Sequence, residues 1–149
     1  MTSRRPVRTS RADYAQFRTV PTRWMDNDVY GHVNNVSYYS FFDTAVNGFL
    51  IEGGALDIEA SPVVSLVVET GCVYFESLAF PEPVEVGLAV DRLGGSSVRY
   101  RIGVFRRGGS EAAAQGHFVH VTVDRATRRP VPLPEPLRAL LTGLVQQDR

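Results

Sequence analysis

Residues 23–39 read RWMDNDVYGHVNNVSYY, and how this stretch is read decides the fold. Aspartates, asparagines, a glycine and a histidine are gathered just ahead of an aromatic run. Asn34 or Asn35 can cap a helix there, because a short polar side chain accepts from the free amides of a first turn. The helix predicted from this cap spans 36–52, VSYYSFFDTAVNGFLIE, and Gly53-Gly54 can end it. Its apolar side chains point in nearly every direction, whereas a surface helix carries one apolar stripe. Burying Phe41, Phe42, Phe49 and Leu50 yields on the order of 10 kcal/mol before entropy is subtracted. Such a helix needs a sheet wrapped around it.

Strands are legible on both sides of the helix. Residues 16–25, QFRTVPTRWM, suit a first strand interrupted near Pro21. Four more strand-like runs follow at 63–75, 84–93, 98–106 and 112–124. Between them, Gly94-Gly95 and Gly108-Gly109 can supply the positive φ of tight hairpins, and Pro81 and Pro83 mark another reversal. Consecutive hairpins imply antiparallel pairing. In SVRYRIGVFR, Val98, Tyr100, Ile102 and Val104 alternate with Arg99, Arg101 and Gly103, so one face is buried. Leu137, Leu140, Leu141 and Leu144 fall at helical spacing near the end. The expected architecture is α+β: a curved antiparallel sheet of about five strands around one long central helix, with a short C-terminal helix.

Composition narrows the chemistry. A chain of 149 residues with 44% hydrophobic content suits one domain with a real core, read as 15–149. Residues 1–14 hold four arginines and no apolar signal stretch, and are read as a disordered tail. The 16 basic residues balance the 16 acidic ones, which gives no general reason to expect nucleic acid or an anionic membrane as partner. Every basic residue is arginine, which excludes Schiff-base and P-loop lysines but leaves guanidinium forks for phosphate. The lone Cys72 excludes a disulfide framework and a cysteine zinc site, and its apolar surroundings suggest a buried, inert thiol. No run is long enough to span a membrane, and a reducing cytoplasmic setting is expected.

The stretch RWMDNDVYGHVNNVSYYSFFDTA resembles the signature of hotdog-fold acyl-CoA thioesterases of the 4-hydroxybenzoyl-CoA thioesterase type. That pattern runs D-x-D-x-x-G-H-V-N-N into an aromatic helix and an acid. The later stretches GSSVRYRIGVF, AAAQGHFVHVTVD and RRPVPLPEPLRALL are similar to the family's later strands and closing segment, with far less specificity. The resemblance implies hydrolysis of an acyl thioester, usually of coenzyme A, without metal or redox cofactor, in a homodimer or homotetramer with sites at subunit interfaces. By position it also implies Asp28 as the catalytic acid and the Asn35 backbone amide as oxyanion donor.

Chemistry agrees with that assignment. Hydrolysis of a thioester needs a nucleophile or a base for water, and donors for the carbonyl oxygen as it becomes negative. First-turn amides lack internal partners and sit at the positive end of the helix dipole. Asp28 can attack the carbonyl, forming an anhydride, or take a proton from water. Alone, Asp26-Asn27-Asp28 reads as a polar turn with Asx hydrogen bonds; with GHVNN and the enclosed helix attached, a catalytic Asp28 is favoured, and Asp26 is assigned to structure, holding the loop or pairing with Arg23. Gly31 gives room for a turn near substrate, or is a plain loop glycine. His32 can orient water, or be satisfied by loop backbone. Asn34 can bind substrate or Asp28, and Tyr38 and Phe42 can line an acyl tunnel or simply fill the core. Asp43, the acid within the helix, is read as paired with an arginine from a neighbouring strand, or as an alternative catalytic base.

The chain departs from the type pattern where coenzyme A phosphates are expected. LGGSS stands in place of a basic cluster, leaving Ser96 and Ser97 as neutral contacts and Arg92, Arg99, Arg101, Arg106 and Arg107 as cationic ones. Coenzyme A and an acyl carrier protein both remain open as thioester carriers. His117 and His120 lie three apart on a strand, so they face opposite sides and form no metal pair. Two rivals stand beside the hydrolase: a hotdog enoyl-thioester hydratase using Asp28 and His32, disfavoured because DVYGH lacks its Asn-Pro, and a non-catalytic acyl-binding or assembly module.

Overall fold

In a computed structural model, which describes residues 6–146, helix α1 runs Asn35–Glu52. Asn34 is its cap: Val36 N–H donates to Asn34 Oδ1 at 3.0 Å. At the other end Gly53 N–H donates to Phe49 O at 2.9 Å. Tyr38, Phe41, Phe42, Ala45, Val46 and Leu50 are buried against the sheet. The helix is not enclosed all round by this chain, because Val36, Asp43, Thr44 and Ile51 lie on an exposed flank.

The sheet comprises β1 (Gln16–Val20), β2 (Val63–Tyr74), β3 (Val84–Leu93), β4 (Ser97–Arg106) and β5 (Ala114–Asp124), in the order β1-β3-β4-β5-β2, antiparallel throughout. Three strand readings shorten, that of β2 by one residue to Tyr74. β1 ends before Pro21, and residues 24–26 form a 3-10 turn. β5 begins at Ala114.

The reversal at Pro81 and Pro83 is not a hairpin. β2 pairs with β5 at one edge, whereas β3 lies beside β1 near the other. The connection therefore crosses the sheet. Local turn residues signal a change of direction and carry no information about which strand is met next. Only β3–β4 and β4–β5 are successive neighbours. At their turns, Gly108 takes φ +72°, a region costly for side chains with a Cβ, while Gly94, Gly95 and Gly109 stay out of it. Gly94 closes its turn by donating to Ser97 O at 2.8 Å.

Val98, Tyr100, Ile102 and Val104 of β4 are buried in the main core with Phe118 and α1, as the alternation requires. Helix α2 (Glu135–Thr142) adds Leu137 and Leu141, followed by Leu144. The opposite face of the sheet has its own small core of Tyr14, Ala89, Phe105 and Ala112, with Phe17 against it. Tyr14 stands edge-on to Phe105 with ring centres 5.7 Å apart.

This outer core corrects the reading of a free tail. Arg8 Nε–H donates to Ala112 O at 2.7 Å, Thr9 N–H to Gln115 Oε1 at 2.7 Å, and Arg11 pairs with Glu85 at 2.6 Å. The segment from residue 8 onward is strapped across the sheet; residues 1–5 of the expected tail lie outside the described residues. Among the described residues no helix is long and apolar enough to cross a membrane.

Candidate active site

The loop from residue 23 to α1 is built around Asp26, which is 1% exposed. Its carboxylate accepts from Arg23 N–H at 2.7 Å, from the Arg23 guanidinium at 2.8 Å and from Ser37 Oγ at 3.2 Å. Burial would raise the Asp26 pKa, but the Arg23 and Ser37 hydrogen bonds outweigh it and hold the carboxyl below its ordinary value. Its backbone oxygen accepts from Asn34 N–H at 2.7 Å. The structural role expected for Asp26 is the one observed.

From that anchor the chain makes a narrow excursion. Asn27 and Val33 form an isolated antiparallel bridge, Asp28 N–H donates to His32 O at 2.9 Å, and Gly31 N–H donates to Asp28 O at 3.0 Å. Gly31 takes φ +80°, which lets the loop turn back without the strain a Cβ would bring. Asn27 Oδ1 accepts from Phe80 N–H at 3.0 Å, and Val33 N–H donates to Leu78 O at 2.8 Å. The excursion is thereby fixed to the 78–80 segment.

Two hollows flank it. One, of about 320 Å³, lies between the helix entrance (His32, Val33, Asn35, Tyr38) and segment 74–77, which ends β2. The other, of about 270 Å³, is lined by Trp24, Asn27, Asp28, Val29 and Gly31. Asp28 and Asn35 thus stand on one excursion but open into neighbouring hollows. Asp28 Oδ1 accepts from Tyr30 N–H at 2.9 Å, the Asx hydrogen bond expected of a polar turn, and its other oxygen makes no hydrogen bond among the described residues.

The Asn35 amide makes no hydrogen bond among the described residues, as expected of the first residue of a helix. It opens into the larger cleft. Asn34 is committed to capping. The His32 ring is exposed, lines the cleft and makes no side-chain hydrogen bond among the described residues. Tyr38 reaches the cleft from within the core. Phe42 does not: it is fully buried, 6.4 Å from Phe118 between ring centres.

Asp43 differs from expectation. It is exposed on the helix flank, and among the described residues it has no arginine partner. Desolvation by the adjoining protein raises its carboxyl pKa. A side chain facing outward needs no counter-ion, which is why the pairing is not made.

Ser96 and Ser97 are not brought to the cleft within this chain. Ser97 shares the outward parity of Arg99 and lines a separate hollow with Arg92, Arg99 and Glu69; Ser96 O accepts from Thr122 N–H at 2.8 Å. Several candidate phosphate arginines already hold acids: Arg99 pairs with Glu69, Arg101 with Asp91, and Arg106 with Glu76 and Glu82. His117 bonds Glu69 at 2.8 Å on the outer face, whereas His120 points into the core. Cys72 is half-buried, and burial pushes its thiol up to about 11.

Reading the sequence missed Tyr74, Phe75, Glu76 and Ser77 as cleft residues. Glu76 is held ionised below its usual range, chiefly by its hydrogen bond from Arg8, with Arg106 adding to the effect. The available signal was an aromatic pair and an acid closing a strand, but nothing local says that a strand end meets the helix entrance.

A family model described as Thioesterase-like superfamily matches residues 20–141. No curated protein matches the chain. Among solved structures, the PA5185 protein from Pseudomonas aeruginosa strain PAO1 is 52% identical, covering 96% of this chain and 100% of its own, with TM-score 0.93. The PA2801 protein from Pseudomonas aeruginosa is 29% identical over 85% of this chain and 97% of its own, with TM-score 0.78. Slr0204 from Synechocystis, a 1,4-dihydroxy-2-naphthoyl-CoA thioesterase, is 16% identical over 86% of this chain and 96% of its own, with TM-score 0.76, a likeness of fold.

Proposed function

This chain belongs to the thioesterase-like superfamily, and on that premise we propose that it hydrolyses acyl-CoA thioesters to the free acid and coenzyme A. The observation that carries the reading is the unpartnered Asn35 amide, at the positive end of α1, opening into a cleft beside the excursion that bears Asp28. Within the superfamily, the DNDVYGHVNN motif favours the 4-hydroxybenzoyl-CoA thioesterase pattern.

In this mechanism the thioester oxygen lies against the Asn35 amide. Asp28 takes a proton from water as the water oxygen adds to the carbonyl carbon. The tetrahedral oxyanion then collapses, the carbon–sulfur bond breaks, and the thiolate recovers the proton. A direct attack by Asp28 would pass through an anhydride that water opens to the same products. Gly31 permits the turn, His32 borders the reacting group, and Asn34 holds the first turn in place.

A homodimer completes the assembly. β2 is a long outer strand with Leu66, Val67 and Val68 exposed in succession, an edge that invites pairing with a second copy. Trp24 and Val29, 83% and 94% exposed beside Asp28, supply further apolar surface for a partner to cover. Ser96, Ser97 and Arg92 would then serve the coenzyme from the neighbouring subunit, since their own chain does not bring them to the cleft.

The deciding experiment is free-thiol release from acyl-CoA and from a carrier-protein ester of the same acyl group. Cleavage of the CoA ester, lost in Asp28→Ala, is the expected result. Cleavage of the carrier-protein ester alone would reassign the thioester carrier, and cleavage of neither would overturn the hydrolase reading.

A further inference from the structure

We propose that Tyr38 and Tyr74 form the wall of the cleft against the core and select short acyl groups that carry an oxygen able to accept a hydrogen bond from Tyr38. This rests on the hydrolase reading above and specifies its substrate. The two rings stand edge-to-face with centres 5.0 Å apart, Tyr38 on α1 and Tyr74 at the end of β2. Tyr38 also packs edge-on to Phe41 at 5.8 Å. Behind this pair, Phe41, Phe42, Ala45, Val46 and Phe118 are all buried in the main core. No depth is left between helix and sheet for an extended chain, because interiors packed at crystal density admit a guest only where a cavity exists. The cleft itself, about 320 Å³, lies at the small end of ligand sites and must also hold the thioester.

The second half of the argument concerns the Tyr38 hydroxyl. The residue is only 2% exposed, and its hydroxyl makes no hydrogen bond among the described residues. Among them, the one wholly buried side-chain polar atom without a partner is His120 Nδ1. The Tyr38 oxygen therefore keeps its opening to the cleft that the residue lines. Burial pushes its pKa up to about 12, so it remains a donor at ordinary pH. A phenol so placed meets a purely aliphatic acyl group with an unmet donor, and an oxygen-bearing one with a partner. Tyr74 plays a positioning part: its hydroxyl donates to Asn35 O at 3.4 Å, joining this wall to the residue whose amide faces the carbonyl.

The test compares kcat/KM for butyryl-CoA, 3-hydroxybutyryl-CoA, decanoyl-CoA and palmitoyl-CoA on the full chain, with Tyr38→Phe beside it. The hydroxylated ester should exceed its plain counterpart by about tenfold, the worth of one well-placed hydrogen bond. Tyr38→Phe should erase that preference by raising KM for the hydroxylated ester toward that of its plain counterpart, and the two long esters should be cleaved poorly. Equal turnover across the chain-length series, or an unchanged preference in a folded Tyr38→Phe, would overturn this assignment and leave the hydrolase reading intact. Turnover of none of the four by wild type would overturn both this assignment and coenzyme A as the thioester carrier. Should Tyr38→Phe fail to fold, the wild-type ratio between the matched four-carbon esters still decides.

Discussion

Ser37 Oγ donates to the buried carboxylate of Asp26 at 3.2 Å, so the first turn of α1 and the loop ahead of it are held by one acid. The excursion bearing Asp28 and the amide of Asn35 both depart from this joint. Their relative placement depends on a residue that touches neither.

Asp26→Ala should therefore act at a distance. It leaves Ser37 Oγ and Arg23 N–H without their acceptor, a loss of about 3 kcal/mol for hydrogen bonds to a charged group, and lowers Tm by roughly 6–12 °C in a chain of this size. Thermal melting checks the stability, and thiol release below the lowered Tm should show reduced kcat. A variant with unchanged melting would remove Asp26 from the organising role.

Asp28 and Asp43 are separable by single turnover. Asp28→Ala should lower kcat by roughly 10²-fold or more with little change in KM. Asp43→Asn should leave the chemical step near wild type, since Asp43 is exposed on the helix flank and lines neither hollow beside the excursion. The reverse order, in variants with wild-type circular dichroism, would transfer the base to the helix.

The pH dependence of stability centres on His120. It is 2% exposed, lies between Tyr100 and Phe118, and no acidic side chain bonds it among the described residues. Desolvation pushes its pKa down to about 4 from an ordinary 6.5. Between those values the unfolded chain binds the proton and the folded chain does not, so stability falls as pH falls through that window. The full effect is about 3 kcal/mol. Melts at pH 7 and pH 4.5 should show a smaller Tm loss in His120→Leu than in wild type; parallel losses would assign the effect to other groups.

Assembly is expected to depend on the β2 edge. Leu66→Lys with Val68→Lys places charges along that strand, which discourages pairing between copies. Light scattering after size exclusion should report twice the single-chain mass for wild type and the single-chain mass for the variant. A wild-type monomer, or a charged variant that still dimerises, would place the interface elsewhere or remove it.

Much of this is legible in the amino-acid sequence. The helix, read as 36–52 and observed from Asn35, announces itself through a cap, an apolar run and a terminating glycine, all of them local signals. Val98, Tyr100, Ile102 and Val104 reveal a half-buried strand because side chains alternate with period two. The roles of Asp26 and the Asn34 cap follow from the hydrogen-bonding habits of short polar side chains. What local signals misjudged are relations across the fold. The Pro81 reversal looks like a hairpin but carries the chain across the sheet, and the arginine-rich start looks like a tail until Tyr14 meets Phe105.

The amino-acid sequence by itself determined the elements, the capped helix and the motif that places an acid seven residues before a free amide. These rest on interactions between near neighbours, which a linear pattern records directly. Only the tertiary structure decided that the end of β2 closes the cleft, that Asp43 faces outward, and that Asp28 and Asn35 open into adjoining hollows. Those outcomes depend on which surfaces meet when the chain condenses, and contacts between residues tens of positions apart leave no periodic trace in the string that produces them.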